Sequence, residues 1–460
     1  MMYKYVCKWS LVSFLWVVLS AFLFSGCDEI VVEPAPTIEL HKGYTTQLYS
    51  LSDNVKWGSS NSSVATVSST GLVTAVGAGK ATIYTYSSSV ENQEIICYLD
   101  ISPTRNILFY IGADDDFIRD DAIAKINEIR LGWQPGRGEL IIYMDRRDRA
   151  ACLLRINDTK NNDIYGIDTI QVYDVENSAD PEVLSRVIDT LNRYYPADSY
   201  GMVLFSHGSG WLPDGTLARP RSLIHDKDGG GNIREMEYYD FASAIPDNQF
   251  DFIIFEACLM SDVMVMYELR KKAKYVLASS AEIVTPGFQY IYEKEFMKLY
   301  DTKKQTNAIV SDFGQAFYDL TRIDLTLSII KMDEMEKLAL ATKNALQGID
   351  INEANVIIDS VQYFDRPGYS ISGGYHRAPR YFDLLHTIEK LVPDARYKAF
   401  NDQLEKTVIW KAASGSFLLN YSHGIYIKRH CGLTTYIEQD AYPYLNSEYR
   451  RSSWYKAISN

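Results

Sequence analysis

The residues best suited to chemistry in this sequence are a histidine and a cysteine that each end an apolar run. His207 follows VLFS at residues 203–206, and Cys258 follows FIIFEA at residues 252–257. The carboxyl ends of adjacent parallel strands meet at one edge of a sheet, so we expect the imidazole and the thiol to lie close together. A thiolate beside an imidazole can attack a carbonyl carbon, with the imidazole as general base and then general acid. The pair therefore predicts nucleophilic acyl transfer.

Each of the two residues also has an ordinary structural interpretation. A cysteine at the end of a strand is usually a small buried hydrophobe, and a histidine before glycine is usually a turn residue. The combination favours chemistry because Cys258 lies 51 positions after His207 (258 − 207), close to the separation of caspase-type cysteine peptidases. Gly208 has no side chain, so its backbone N–H could form an oxyanion hole together with the N–H of Cys258.

Five apolar runs predict buried strands that would position these residues. Between them lie helix patterns: Asp180 and Pro181 begin one helix, and a methionine-rich helix is predicted directly after Cys258. Cys258 would then lie at a helix N-terminus, where the dipole stabilises a thiolate. Alternating strands and helices predict an α/β fold with a mainly parallel sheet covered by helices on both faces. The predicted strands are residues 107–113, 140–144, 202–205, 252–255 and 275–279.

The N-terminus has the pattern of an export signal. Two lysines precede the apolar run at residues 9–24, and the sequence SGC follows. This pattern resembles the signal of bacterial lipoproteins, which implies removal of residues 1–26 and attachment of lipid to Cys27. The alternative is a single membrane-spanning anchor, for which the run is short. Residues 27–35 are then expected to be a tether, and the protein is expected in the cell envelope, at the outer membrane or cell surface.

Residues 36–103 form a separate all-β domain in this interpretation. Short stretches in which apolar and polar residues alternate are separated by turns that contain serine, asparagine and glycine, a pattern typical of small β-sandwiches. Trp57, SVATVS at residues 63–68 and GLVTA at residues 71–75 resemble the bacterial Ig-like domain of group 2. The resemblance implies a small β-sandwich that serves as a spacer or an adhesive stalk.

Residues 104–460 resemble the clostripain family of cysteine peptidases. The resemblance rests on SHGSGW and FEACLMSDVMVMYEL, which contain His207, Gly208, Gly210, Trp211, Cys258, Met260 and Glu268. It implies a caspase-like fold and a cysteine endopeptidase that forms a thioester acyl-enzyme on Cys258, with His207 as its base.

The family usually has aspartate two residues before the cysteine, where it helps to receive a basic substrate side chain. This sequence has Glu256 there, so the resemblance implies cleavage after Arg or Lys. Strand alternation would place the Glu256 side chain on the same face as that of Cys258. Glu282, in SSAEIVTPGFQY at residues 279–290, is a second candidate for the pocket, although a solvated loop acid explains it equally well.

Composition and the remaining motifs limit the classes of molecule that this protein is expected to bind. The net charge of −13 argues against nucleic acid as a partner, since phosphates require a basic surface. No cofactor or metal is required by this chemistry, although Asp114–Asp116 could hold calcium or simply form an acidic turn. The glycine-rich segment at residues 225–232 lacks EF-hand spacing, and His423 has no nucleophile nearby in sequence. We expect a monomer that acts on proteins or peptides.

Two rival functions remain open at this point. The first is a catalytically inactive peptidase fold that acts as an adhesin or binding module on the cell surface. The second is a serine hydrolase, which requires a Gly-x-Ser-x-Gly elbow that this sequence lacks. The long segment between Trp211 and Tyr238 contains Arg219, Arg221, Lys227 and Arg234, which allows limited self-cleavage if the enzyme cuts after basic residues.

Overall fold

The chain divides into two compact units, with the boundary between Thr104 and Arg105. Several residues of interest in the sequence lie outside the described residues: the signal segment with Cys27, the acidic run Asp114–Asp116, most of the segment after Trp211, and His423. The structure, a computed structural model, describes residues 34–52, 54–87, 93–113, 118–173, 177–213, 216, 223–226, 234–349, 358–365, 378–420 and 424–459.

The first unit is a β-rich domain with two sheets around one core. Val73 of one sheet and Ile83 of the other are fully buried in a single hydrophobic cluster. The strand Gly79–Tyr86 alternates between buried and half-buried residues from Ala81 onward, as expected when one face of a sheet is covered. Its strands are β1 (Thr37–His41), β2 (Thr45–Gln47), β3 (Lys56–Ser59), β4 (Ala65–Val67), β5 (Leu72–Ala75), β6 (Gly79–Tyr86) and β7 (Glu94–Ser102).

The second unit is built on one large sheet of nine strands, accompanied by short two-stranded ribbons. Its strands are β8 (Arg105–Ala113), β9 (Leu140–Arg146), β10 (Arg149–Asn161), β11 (Ile164–Val172), β12 (Ser199–Phe205), β13 (Leu223–Asp226), β14 (Arg234–Met236), β15 (Phe250–Glu256), β16 (Ala273–Ala278), β17 (Thr326–Lys331), β18 (Phe382–Asp383), β19 (Val408–Ala413), β20 (Ser416–Phe417), β21 (Ile425–Tyr426) and β22 (Thr434–Thr435).

The centre of this sheet is parallel and its edges are antiparallel. The order is β11-β10-β9-β8-β12-β15-β16-β17-β19. The five strands from β9 to β16 run parallel, and β10 and β17 add to them in antiparallel orientation. These five are the strands predicted from the apolar runs, and the prediction of a mainly parallel sheet is confirmed.

Helices cover both faces of this sheet, as predicted. Adjacent residues of β8 point to opposite faces, so Leu108 lies in one buried cluster and Phe109 in the other. The helices are α1 (Arg119–Gly132), α2 (Pro181–Tyr194), α3 (Tyr238–Ala244), α4 (Val263–Leu269), α5 (Gln289–Glu295), α6 (Thr306–Thr321), α7 (Met335–Leu346), α8 (Leu384–Leu391), α9 (Asp394–Thr407), α10 (Pro443–Arg451) and α11 (Ser453–Ser459), with 3₁₀ segments at Phe296–Tyr300, Met332–Glu334 and Ile358–Ser360.

Helix α2 begins where its capping residues predict. The side chain of Asp180 accepts a hydrogen bond from the backbone N–H of Glu182 at 2.9 Å, and Pro181 occupies the first turn. Among the described residues no helix has both the length and the apolar character that are needed to cross a lipid bilayer.

Candidate active site

The register of β12 and β15 explains why the histidine and the cysteine lie 51 positions apart. Phe205 is paired with Glu256 at the end of the two parallel strands, and the same offset (256 − 205) relates His207 to Cys258. Both residues therefore leave the sheet two positions after its last pair, on neighbouring strands. His207 and Cys258 are each half-buried, so they lie at the surface of the sheet edge.

Gly208 lies directly against the backbone of Cys258. A Cβ atom added to Gly208 would lie 2.6 Å from the carbonyl oxygen of Cys258 and 3.1 Å from its backbone nitrogen. Any other residue would force the two loops apart, so the close approach requires glycine at this position. The two backbone N–H groups that the sequence suggests as oxyanion donors thus belong to segments in direct contact.

A sharp turn follows the cysteine. Leu259 has φ of 61°, in the left-handed region that non-glycine residues rarely adopt. Backbone hydrogen bonds hold the turn against the end of β16: Leu259 N–H donates to Ala281 at 3.0 Å, and Ser261 N–H donates to Ser279 at 2.9 Å. The cysteine is therefore presented on a short constrained turn and not on a regular element.

The prediction that Cys258 lies at a helix N-terminus is wrong. Helix α4 begins only at Val263, and its N-cap is Asp262, whose side chain accepts a hydrogen bond from Met264 N–H at 2.9 Å. The left-handed Leu259 separates the cysteine from the helix, because a helix cannot continue through that conformation.

The backbone of Ile283 contacts the sulfur of Cys258. Ile283 N–H donates to Sγ at 3.3 Å, and Sγ lies 3.9 Å from the carbonyl oxygen of Ile283. The bond donated to sulfur favours the negatively charged thiolate, which is the nucleophilic form, whereas the longer bond, in which Sγ is the donor to the Ile283 carbonyl oxygen, favours the neutral thiol. The side chain of Ile283 is unreactive and no sequence motif marks this residue, so only the tertiary structure identifies this contact.

Glu256 is held in a buried ion pair. Its Oε1 lies 2.8 Å from Nζ of Lys125, a residue of α1, and the two side chains are 1% and 0% exposed. Its Oε2 accepts a hydrogen bond from the hydroxyl group of Tyr292 at 2.6 Å. Burial and the neighbouring carboxylate raise the pKa of Tyr292 well above its usual value, so the phenol keeps the proton that it donates.

The same pair fastens the segment that follows Ile283. Glu256 Oε1 also accepts from Phe288 N–H at 2.5 Å, and Lys125 donates to the carbonyl oxygen of Pro286. A side chain at Gly287 would collide with Glu256, since its Cβ would lie 2.2 Å from Oε1, and φ at this glycine is 61°. The Lys125–Glu256 pair thus ties the middle of α1 and the end of β15 to residues 286–288.

These contacts bear on the substrate pocket suggested by the sequence. Both carboxylate oxygens of Glu256 already have partners within the protein, and β15 ends at this residue, so strand alternation does not extend to Cys258. Glu282 is half-buried and directly precedes Ile283. A substrate-binding role stays a prediction for both, and the contacts of Glu256 show that its carboxylate holds the loop at residues 286–288.

The other described cysteines differ from Cys258 in their surroundings. None of the four forms a disulfide, and Cys97 and Cys431 are buried. Burial raises the pKa of Cys431 and of Cys152, which favours the unreactive thiol. No cluster of three His, Cys, Asp or Glu side chains that could hold a metal ion occurs in the part of the chain that the structure describes.

Relatives of known identity are similar to this chain in sequence or in structure. Clostripain from Hathewaya histolytica is 24% identical over 349 residues, which cover 62% of this chain and 65% of clostripain, so the chain spans less than two thirds of that relative. An inactive zymogen C11 protease from Parabacteroides distasonis is 29% identical, with a TM-score of 0.66 and coverage of 78% of this chain and 98% of the relative.

A third relative contains a ligand. A secreted C11 cysteine protease from Bacteroides thetaiotaomicron, solved in complex with an irreversible peptide inhibitor, is 28% identical, with a TM-score of 0.64 and coverage of 77% and 98% of the two chains. The model of the bacterial Ig-like domain (group 2) matches residues 29–96, and that of the Clostripain family matches residues 109–459. The chain therefore belongs to the clostripain family of cysteine peptidases.

Proposed function

We propose that this chain is an exported cysteine endopeptidase in which Cys258 is the nucleophile and His207 the general base and acid. The observation that carries the proposal is the shared register of β12 and β15, which brings the two residues out of the sheet at the same level. Gly208 packed on Cys258 and the Ile283 N–H directed at Sγ support it.

The reaction that this arrangement supports begins with transfer of the thiol proton from Cys258 to His207. The thiolate attacks the carbonyl carbon of the substrate peptide, and the oxygen takes the negative charge next to the N–H groups of Gly208 and Cys258. The imidazolium then donates its proton to the departing amine, which leaves a thioester on Cys258. Water, deprotonated by His207, hydrolyses the thioester and regenerates the thiol.

Peptides are the proposed substrates, with cleavage after Arg or Lys. The Bacteroides relative is bound by an irreversible peptide inhibitor, which supports peptides as ligands of this chain as well. The basic preference rests on carboxylates near the cysteine, and Glu282 is now its principal candidate because it adjoins Ile283. A guanidinium can form a bidentate contact with such a carboxylate, so Arg is expected to be preferred over Lys.

Export and anchoring complete the proposal. A secreted relative supports export, and lipid on Cys27 would hold the protein at the cell envelope, with the Ig-like unit next in the chain and the peptidase unit after it. No cofactor is proposed, since the dyad needs none, and the protein is expected to act as a monomer. Self-cleavage within the segment after Trp211, at Arg221 for example, follows from the same proposed basic preference.

The decisive experiment compares three variants on a mixture of internally quenched peptides. Cys258→Ala and His207→Ala should each abolish cleavage, because nucleophile and base act as one unit. Cys152→Ala is the matched control, since it removes a half-buried cysteine elsewhere in the same unit, and it should retain activity. An alkylating reagent should modify Cys258 before the other cysteines. Substantial cleavage by Cys258→Ala would disprove the assignment and indicate another nucleophile, whereas no cleavage of any peptide by the wild-type chain would favour the binding-module alternative.

A further inference from the structure

An apolar cleft lies beside the candidate nucleophile. It has a volume of about 500 Å³ and opens between the loop after β16 and the C-terminal end of α6. The C-terminal ends of β15 and β16 lie at the same edge of the sheet because the two strands are parallel, and β17 begins at that edge because it is antiparallel to β16. The loop after β16 and the end of α6 before β17 therefore lie at the same edge as Cys258. The residues that line it include Ile283, Val284, Pro286 and Tyr290 on one wall and Leu320 and Ile323 on the other.

Large apolar side chains on both walls are exposed to solvent. Val284, Tyr290, Leu320 and Ile323 are between 42% and 70% exposed, and all four border this one cleft. Scattered exposed apolar residues are ordinary, but a cluster of them around a concavity marks a binding surface. The floor is also apolar, since Phe317 is buried beneath them.

The most exposed of these residues is held in place by a constrained backbone. Arg322 and Asp324, on either side of Ile323, have φ of 52° and 48°, both in the left-handed region. The side chain of Asp324 accepts a hydrogen bond from Leu418 N–H at 2.6 Å, which fixes the turn. Arg322 is the left-handed C-cap of α6, a common way for a helix to end, and the turn that follows holds Ile323 70% exposed at the rim of the cleft.

Ile283 connects the cleft to the chemistry. Its backbone N–H donates to Sγ of Cys258 at 3.3 Å, while the same residue lines the cleft. A polypeptide whose scissile carbonyl lies at Cys258 would therefore place a neighbouring side chain in the cleft.

We infer that this cleft is a specificity subsite that receives one large apolar side chain, such as Leu or Phe, of the substrate polypeptide. The inference rests on the proposed function, since its occupant is the peptide that Cys258 would cleave. The volume lies within the range of small-ligand sites and is ample for one such side chain. Among the described residues that line the cleft, Asp324 is the only charged one, and Leu418 N–H donates to one of its carboxylate oxygens, so acidic side chains should be rejected.

The test uses internally quenched peptides in which Leu, Phe, Ser or Asp occupies each position near the cleaved bond in turn. The wild-type chain should prefer Leu or Phe at one position by at least about tenfold in kcat/KM. Leu320→Gln removes apolar surface from an exposed helix position, and Ile323→Thr does so while it keeps the branched side chain. Both should lose most of the preference through KM, so that the ratio of kcat/KM for Leu-containing to Ser-containing peptides falls towards one. Leu340→Gln on α7, 57% exposed compared with 55% for Leu320, is the matched control.

A parallel binding measurement separates the subsite from the catalytic proposal. Fluorescence anisotropy with Cys258→Ala and labelled Leu or Ser peptides reports occupancy without cleavage. Preferential binding of the Leu peptide, lost in Leu320→Gln, supports the subsite even if the wild-type chain cleaves nothing, an outcome that would overturn only the proposed function. Cleavage with no apolar preference at any position, or equal losses for Leu and Ser peptides in Leu320→Gln, overturns the subsite.

Discussion

Removal of the Lys125 ammonium group should destabilise the larger unit and slow the chemistry at Cys258. Lys125→Met keeps the length of the side chain and leaves the carboxylate of Glu256 buried without its cation. The two groups are 2.8 Å apart and almost fully buried, so the remaining charge cannot be solvated by water. Breaking such a pair by removal of one partner costs roughly 3–5 kcal/mol. The hydrogen bonds to Glu256 from Tyr292 and Phe288 remain, so we expect about 3 kcal/mol, at the lower end.

The double variant isolates the ion pair from the loss of packing. Glu256→Gln neutralises the partner and keeps its size, so Lys125→Met/Glu256→Gln should recover at least half of the stability that the single lysine variant loses. The coupling free energy in this cycle should be about 1.5 kcal/mol or more. The assay is urea unfolding followed by tryptophan fluorescence. As a control, Lys398→Met breaks the exposed pair with Asp402, at 2.7 Å, and should leave the unfolding midpoint unchanged.

The same variant tests the link from the ion pair to the active site. Lys125 donates to Pro286, and the segment that begins at Ile283 contacts Sγ of Cys258. Displacement of that segment should lower kcat by roughly tenfold to a hundredfold, because small misplacements of reacting groups are costly. The reasoning is refuted if Lys125→Met loses less than about 1 kcal/mol, or if the free energies of the two single variants simply add.

Three further outcomes are expected. Glu282→Gln should lower kcat/KM by about tenfold on peptides cut after Arg, the loss of a charged hydrogen bond of about 1.5 kcal/mol, and peptides without a basic residue should be unaffected. Burial raises the pKa of Asp262 to about 7. As the pH rises, this carboxyl group therefore ionises in the unfolded chain before it ionises in the folded one. Its contribution to the free energy of unfolding is complete below about pH 3.8 and is lost as the pH rises to about 7. Asp262→Asn should remove this loss, measured as urea midpoints at pH 4.5 and 7.5; an unchanged difference between them would contradict the argument. Cys27→Ser should shift the protein from the membrane fraction to the soluble fraction or leave an unprocessed precursor, and an unlipidated, soluble wild type would contradict the anchor.

Much of the fold follows from local sequence patterns. Strands β8, β9, β12, β15 and β16 are buried on both faces, and continuous apolar runs are the pattern that such strands require. The Asp180–Pro181 pair marks the start of α2 because capping acts over only a few residues. The predicted start of α4 directly after Cys258 is wrong because of a single backbone angle. Leu259 is left-handed, and no local sequence pattern distinguishes it, so the sequence does not show that α4 begins only at Val263.

The sequence by itself determined the class of this protein, and the tertiary structure decided how its candidate site is arranged. The spacing of His207 and Cys258 predicted that the two residues leave the sheet side by side, because it equals the register offset between β12 and β15. The role of Glu256 could not be read in the same way, because its partner Lys125 lies 131 positions earlier (256 − 125), and only packing of α1 on the sheet brings the two together. The contact between Ile283 and Cys258 and the apolar cleft could not be predicted from the sequence either. A backbone N–H is present at almost every position, and only the fold directs this one at the sulfur.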